Sequence, residues 1–109
     1  MYLGGEFGEN VSAVNPYAAS SFFAVDRVAS SLKEWKDYLD CGGNVLLDRY
    51  TTSNAIYQAT KLSENERESF CDWLFDFEYN KIGIPAPDKV IFLDMPVEVS
   101  QRLMTERYE

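Results

Sequence analysis

Apolar residues recur at helical spacing along the first half of the chain. Phe22, Val25, Ala29, Leu32 and Leu39 follow one another in steps of three and four, with one step of seven. That stripe predicts a long amphipathic helix. Asn15-Pro16 supplies its start, with Asn as the capping acceptor and Pro at a first position that needs no N–H. The helix runs from Pro16 to Asp40 and stops at Cys41-Gly42-Gly43. Before it, the glycine-rich stretch Tyr2 to Val14 reads as a loop.

After the glycines the pattern changes. Val45-Leu46-Leu47 is a short continuous apolar run, the signature of a strand buried on both faces. Ser53 to Lys61 predicts a second, shorter helix. Ser63 with Glu66 forms a capping box and opens a third helix that extends to about Lys81. Its apolar face is Phe70, Trp73, Leu74 and Phe77. Gly83 stops it, and Pro85 and Pro87 keep the following linker extended. Val90-Ile91-Phe92-Leu93 is a second strand candidate, and Pro96 opens a last helix from Val97 to about Arg107. Two apolar runs joined through helices predict an α/β fold with parallel strands covered on both faces. Two strands alone do not make a stable parallel sheet, so residues 1–109 read as an internal segment of a larger domain.

Composition narrows the function. Acidic side chains number 18 against 10 basic ones, a net charge of -8, which argues against a surface that coats nucleic acid or an anionic membrane. A small anionic ligand held by a few local arginines stays compatible with it. The absence of histidine excludes His-based triads and His metal sites. Cys41 and Cys71 form no CxxC pair and read as reduced structural thiols. Neither a basic leader nor an apolar run near the ~20 residues of a membrane span is present, and the expected location is the cytoplasm.

The candidate chemistry sits at the strand ends and on two helices. Asp48 and Asp94 each close an apolar run, where α/β proteins bind ligands and where a carboxylate can orient Mg²⁺ through water. Either carboxylate also suits a plain strand-end cap. Arg49 follows Asp48 and offers a planar fork for a phosphate, or for a surface ion pair. Phe23 and Arg27 lie four apart on the long helix and share a face. A ring beside a donor fork suits a planar base with carbonyl oxygens, and equally a core Phe with an Arg at its edge. Ser53, Asn54, Tyr57 and Gln58 crowd polar groups into one and a half turns. Among them, Asn54 can donate and accept at once, as an imide edge requires.

Together these residues resemble thymidylate kinase. The motifs that carry the resemblance are Phe23-Ala-Val-Asp-Arg27, Asp48-Arg49-Tyr50 with Ser53-Asn54-Ala-Ile-Tyr57-Gln58, and Pro87-Asp88 through Asp94-Met-Pro96, in that order. The resemblance implies a three-layer, parallel-sheet P-loop kinase fold, present here in part, and phosphoryl transfer from ATP to dTMP in dTTP biosynthesis, with Mg²⁺ as cofactor. It implies that Phe23 stacks on thymine, Arg27 bonds its O4, Asn54 reads the imide edge and Tyr57 lies near the deoxyribose. Arg49 would grip the dTMP phosphate, Asp48 would orient Arg49 or the Mg²⁺ shell, and Ser53 and Gln58 would flank the monophosphate. A homodimer is implied as well.

Two features of the pattern are not in the sequence. No GxxxxGK followed by Ser or Thr occurs, so the P-loop that holds ATP phosphates is expected upstream of Tyr2. The lid is expected to begin near Arg102 to Arg107. The chain is therefore expected to carry most of the dTMP pocket and to be inactive alone. The alternatives are a kinase of another pyrimidine nucleoside or nucleotide, and a non-catalytic remnant that binds a nucleotide or a protein partner.

Overall fold

The computed structural model describes residues 13–108. The loop expected over Tyr2 to Val14 falls almost wholly outside them. Asn15 caps the first helix by accepting the Tyr17 N–H on its Oδ1 at 2.8 Å, ahead of Pro16. Helix α1 (Pro16–Ser30) continues through a π-helical stretch, Ser31–Trp35, into α2 (Lys36–Asp40). This is the long helix the sequence predicts. The chain leaves it through Gly42, whose φ of 91° lies in the left-handed region that glycine enters without steric cost.

Helix α3 (Thr51–Ala59) starts two residues earlier than Ser53. Helix α4 (Glu64–Phe75) starts at the predicted capping box: the Glu66 carboxylate accepts the Ser63 N–H at 3.4 Å and its hydroxyl at 2.7 Å. A second π-helical stretch, Asp76–Ile82, prolongs α4 to Gly83, which takes the left-handed conformation at φ 83°. Helix α5 (Val97–Tyr108) follows and buries no residue.

Helices α1, α3 and α4, with the π-helical extension of α4, pack on one another. Phe70 and Leu74 are fully buried against Ala55 and Ala59 of α3. Around Phe70 an aromatic cluster closes the core: Tyr17 meets its ring edge-on at 5.1 Å and meets Trp73 at 4.7 Å. Trp73 in turn stacks on Phe77 at 5.0 Å.

The structure departs from the sequence pattern in two places. The buried face of α1 is Ala19, Ser20 and Ala24, not the stripe through Val25 and Leu32, which are 63% and 65% exposed. Small side chains let α1 approach α3 closely, and that contact outweighs the larger apolar residues on the other side. The second departure is the sheet. Among the described residues there is no strand: Val45–Leu47 and Val90–Leu93 have no regular structure. A parallel strand takes its hydrogen bonds from neighbours, and neither run has one among the described residues. Apart from half-buried Val45, their side chains stay in solvent, with Leu46 87% and Leu93 80% exposed.

No helix among the described residues is long and apolar enough to cross a membrane. Cys41 and Cys71 are free thiols.

Candidate functional site

Helix α3 has two polar stripes, because residues four apart stand over one another. Asn54 and Gln58 face inward and are buried. Ser53 and Tyr57 face the other way, and Tyr57 is exposed. Each stripe gathers different partners.

Arg49 joins the outer stripe. Its Nε donates to the Ser53 hydroxyl at 2.9 Å, and its guanidinium lies over the Tyr57 ring, 4.8 Å from the centroid. Stacking and a hydrogen bond together fix the long side chain and keep its charge in solvent's reach. The backbone of Arg49 is at φ 65°, a left-handed conformation that costs a non-glycine residue about 1 kcal/mol or more. Arg49 is thus held by Ser53 and Tyr57, and Asp48, exposed on the preceding bend, does not join it.

The inner stripe meets α1. Asn54 Nδ2 donates to the Ser20 carbonyl at 3.4 Å, a long bond. Its Oδ1 is buried with no partner, and so is the Ser20 hydroxyl oxygen. A buried amide oxygen without a donor is costly and marks a place where an N–H would be accepted. Gln58 Oε1 accepts from Lys61 Nζ at 2.9 Å. Phe23, half-buried, and Arg27 lie on the α1 face that carries Ser20.

Arg27 has the partner that pattern-reading missed. Its Nε donates to Glu78 Oε1 at 2.6 Å, and its Nη2 pairs with the same oxygen. Glu78 sits in the π-helical extension of α4 and is fully buried. Burial pushes its carboxyl above the usual carboxylate range, while the Arg27 charge and hydrogen bond pull the other way. A signal was available: Glu78 stands eight residues after Phe70 and four after Leu74, on the same helical stripe. An acid on a buried apolar stripe requires a cation from another element.

Tyrosines line this end of the helices. Tyr50 donates to the Pro85 carbonyl at 2.8 Å, and Thr51 Oγ1 and the Tyr79 hydroxyl are 2.5 Å apart. Burial, with smaller contributions from Tyr79 and Glu78 against the opposing Arg27, pushes the Tyr50 hydroxyl up to about 12, so it stays a neutral donor. Among the described residues no three His, Cys, Asp or Glu side chains come together as a metal site. Asp48 alone offers one carboxylate, which does not fit the donor set of a self-sufficient Mg²⁺ site.

The arrangement suits a small planar anion-bearing ligand. One cation, Arg49, is exposed; one amide oxygen, on Asn54, is buried without a donor; a ring and a second guanidinium, Phe23 and Arg27, lie on the facing helix. A family model described as thymidylate kinase matches residues 6–109. Thymidylate kinase of Mycobacterium tuberculosis is 35% identical over 98 residues, covering 90% of this chain and 44% of that relative. A probable thymidylate kinase of Thermococcus gammatolerans is 33% identical over 90 residues, 83% of this chain and 39% of the relative. Thymidylate kinase of Limosilactobacillus fermentum is 30% identical over 86 residues. The chain thus spans less than half the length of the curated relatives it matches. No solved structure matches it.

Proposed function

The chain belongs to the thymidylate kinase family, whose fold is that of the P-loop kinases, and from that premise we propose that it forms the dTMP-binding part of such an enzyme. The reaction of the whole protein is phosphoryl transfer from ATP to dTMP in the cytoplasm. In that setting Val45–Leu47 and Val90–Leu93 pair as parallel strands with sheet neighbours, which would cover side chains now in solvent. The apolar side chains of α5, and Val25 with Leu32 on α1, leave surface for a homodimer contact.

The observation that carries the reading is the pair of stripes on α3: Arg49, Ser53 and Tyr57 on one, Asn54 with its unpartnered Oδ1 on the other. Arg49 grips the acceptor phosphate through charge-assisted bonds, Ser53 and Gln58 flank that phosphate, and Tyr57 lies along the deoxyribose. Asn54 accepts the imide N–H while Phe23 stacks and Arg27 donates to O4. These residues position and neutralise the acceptor; transfer itself is a matter of alignment and charge stabilisation. Mg²⁺ would travel with ATP, and Asp48 is the residue of this chain offered to its water shell. The phosphate cradle has no motif in these 109 residues, so the chain alone is expected to bind dTMP without turning it over.

Calorimetric titration of dTMP, beside an ADP-release assay with ATP present, tests this. Saturable binding and no ADP release are expected. Arg49→Ala should weaken dTMP by about 1.5–3 kcal/mol, one shielded charge-assisted bond, or roughly 10- to 150-fold. Full affinity in Arg49→Ala would remove that residue from the phosphate site. ADP release at a normal kinase rate would refute the claim of inactivity.

A further inference from the structure

We infer that Glu78 is a positioning residue that sets the orientation of Arg27 and so makes the site select a keto pyrimidine over an amino pyrimidine. The inference rests on the dTMP-binding reading above. Arg27 meets Glu78 through the side edge of its guanidinium: Nε donates to Oε1, and Nη2, buried and without a hydrogen bond, forms an ion pair with the same oxygen. The planar fork has a second edge, Nη1 with the remaining hydrogen of Nη2, in the same plane. With the side edge held, only the end edge can turn to a ligand. The Arg27 side chain keeps 16% of its surface exposed while Glu78 keeps none, so the pair opens toward solvent on the arginine side only.

Glu78 is itself rigid. Its carbonyl accepts the N–H of Gly83 and of Ile84, each at 3.0 Å, and Ile84 is buried. The π-helical register of Asp76–Ile82 carries it, and Phe75 and Tyr79 stack at 5.7 Å around that turn. Oε2 has no partner, so the hold on the guanidinium rests on Oε1 alone. The carboxylate also cancels the arginine charge where the base sits, so an uncharged ring can enter without an isolated buried cation beside it. A guanidinium edge fixed in this way donates to a ring carbonyl such as O4 of thymine or uracil. It opposes the exocyclic amino group of cytosine, which is also a donor.

The test is a titration of dTMP, dCMP and inorganic phosphate into the wild-type chain, Glu78→Gln, Arg27→Ala and the double variant. Wild type is expected to favour dTMP over dCMP by about tenfold or more. Glu78→Gln should reduce that ratio severalfold, leave phosphate affinity unchanged, and add nothing in the Arg27→Ala background. An unchanged dTMP/dCMP ratio in Glu78→Gln overturns the inference and leaves the functional reading standing. Failure of the wild type to bind dTMP overturns both. A measurement on the wild type alone guards against a misfolded variant. The Arg27 Nε–H proton should exchange slowly without ligand and hold its NMR shift through the dTMP titration. Rapid exchange, or an Nε–H that moves with ligand, contradicts a side edge committed to Glu78.

Discussion

Phe70→Ala is expected to remove a large share of the protein's stability. Phe70 is fully buried where Tyr17, Trp73, Leu74, Ala55 and Ala59 converge. Removing its ring loses the transfer free energy of the side chain and leaves a cavity that helices on three sides cannot close, about 3–5 kcal/mol together. Domains of this size hold about 5–15 kcal/mol in total. Urea unfolding followed by tryptophan fluorescence reads the loss as a lower midpoint at constant slope. Val25→Ala and Leu32→Ala make the control. Both side chains are exposed, so each should stay within about 0.5 kcal/mol of wild type. A large loss at Val25 or Leu32 with little at Phe70 would put the core on the other face of α1.

Arg27→Met is expected to be as damaging, for an electrostatic reason. It leaves Glu78 buried with no cation, and breaking a buried pair from one side costs about 3–5 kcal/mol. Replacing both, Arg27→Met with Glu78→Leu, should recover most of the loss, since the penalty lies in the orphaned charge. Acidification separates this from simple packing. The folded-state value of the Glu78 carboxyl is raised above 4.5, so the native state binds this proton more readily than the unfolded chain. Its contribution to stability is therefore fully present below 4.5 and is lost as pH rises through the raised folded value. Without Arg27 the opposing pull disappears and that folded value climbs further. The gap in urea midpoint between wild type and Arg27→Met should accordingly narrow as the pH is lowered from neutral toward 4.5. A gap that does not change with pH would show that the loss is one of packing.

Helix ends were the legible part of the fold. Asn15-Pro16, the Ser63 and Glu66 box, and Gly83 act through the backbone of their own neighbourhood, so local sequence suffices. Faces were less legible. Val25 and Leu32 carry the periodic signal, yet the burial of α1 depends on how closely another helix can approach, and Ala19, Ser20 and Ala24 decide that. Strands were illegible in a different sense: Val90–Leu93 has the composition of a buried strand, but pairing is a property of neighbours rather than of the run itself. At the site, the motif residues on α3 were found by type and spacing, and their division into two stripes follows from helical geometry. Glu78 lies 51 residues from Arg27, and no local pattern joins them. Only the rule that a buried acid needs a cation could have pointed to it.

On the proposed function, α3 and the facing side of α1 form a nucleoside monophosphate pocket. Chemical-shift mapping of the isotope-labelled chain during a dTMP titration tests it most directly. Saturable shifts at Phe23, Arg27, Arg49, Asn54 and Tyr57, with α5 unmoved, are the predicted result. No saturable shift at up to millimolar dTMP, or shifts centred on α5 with α1 and α3 silent, would contradict it.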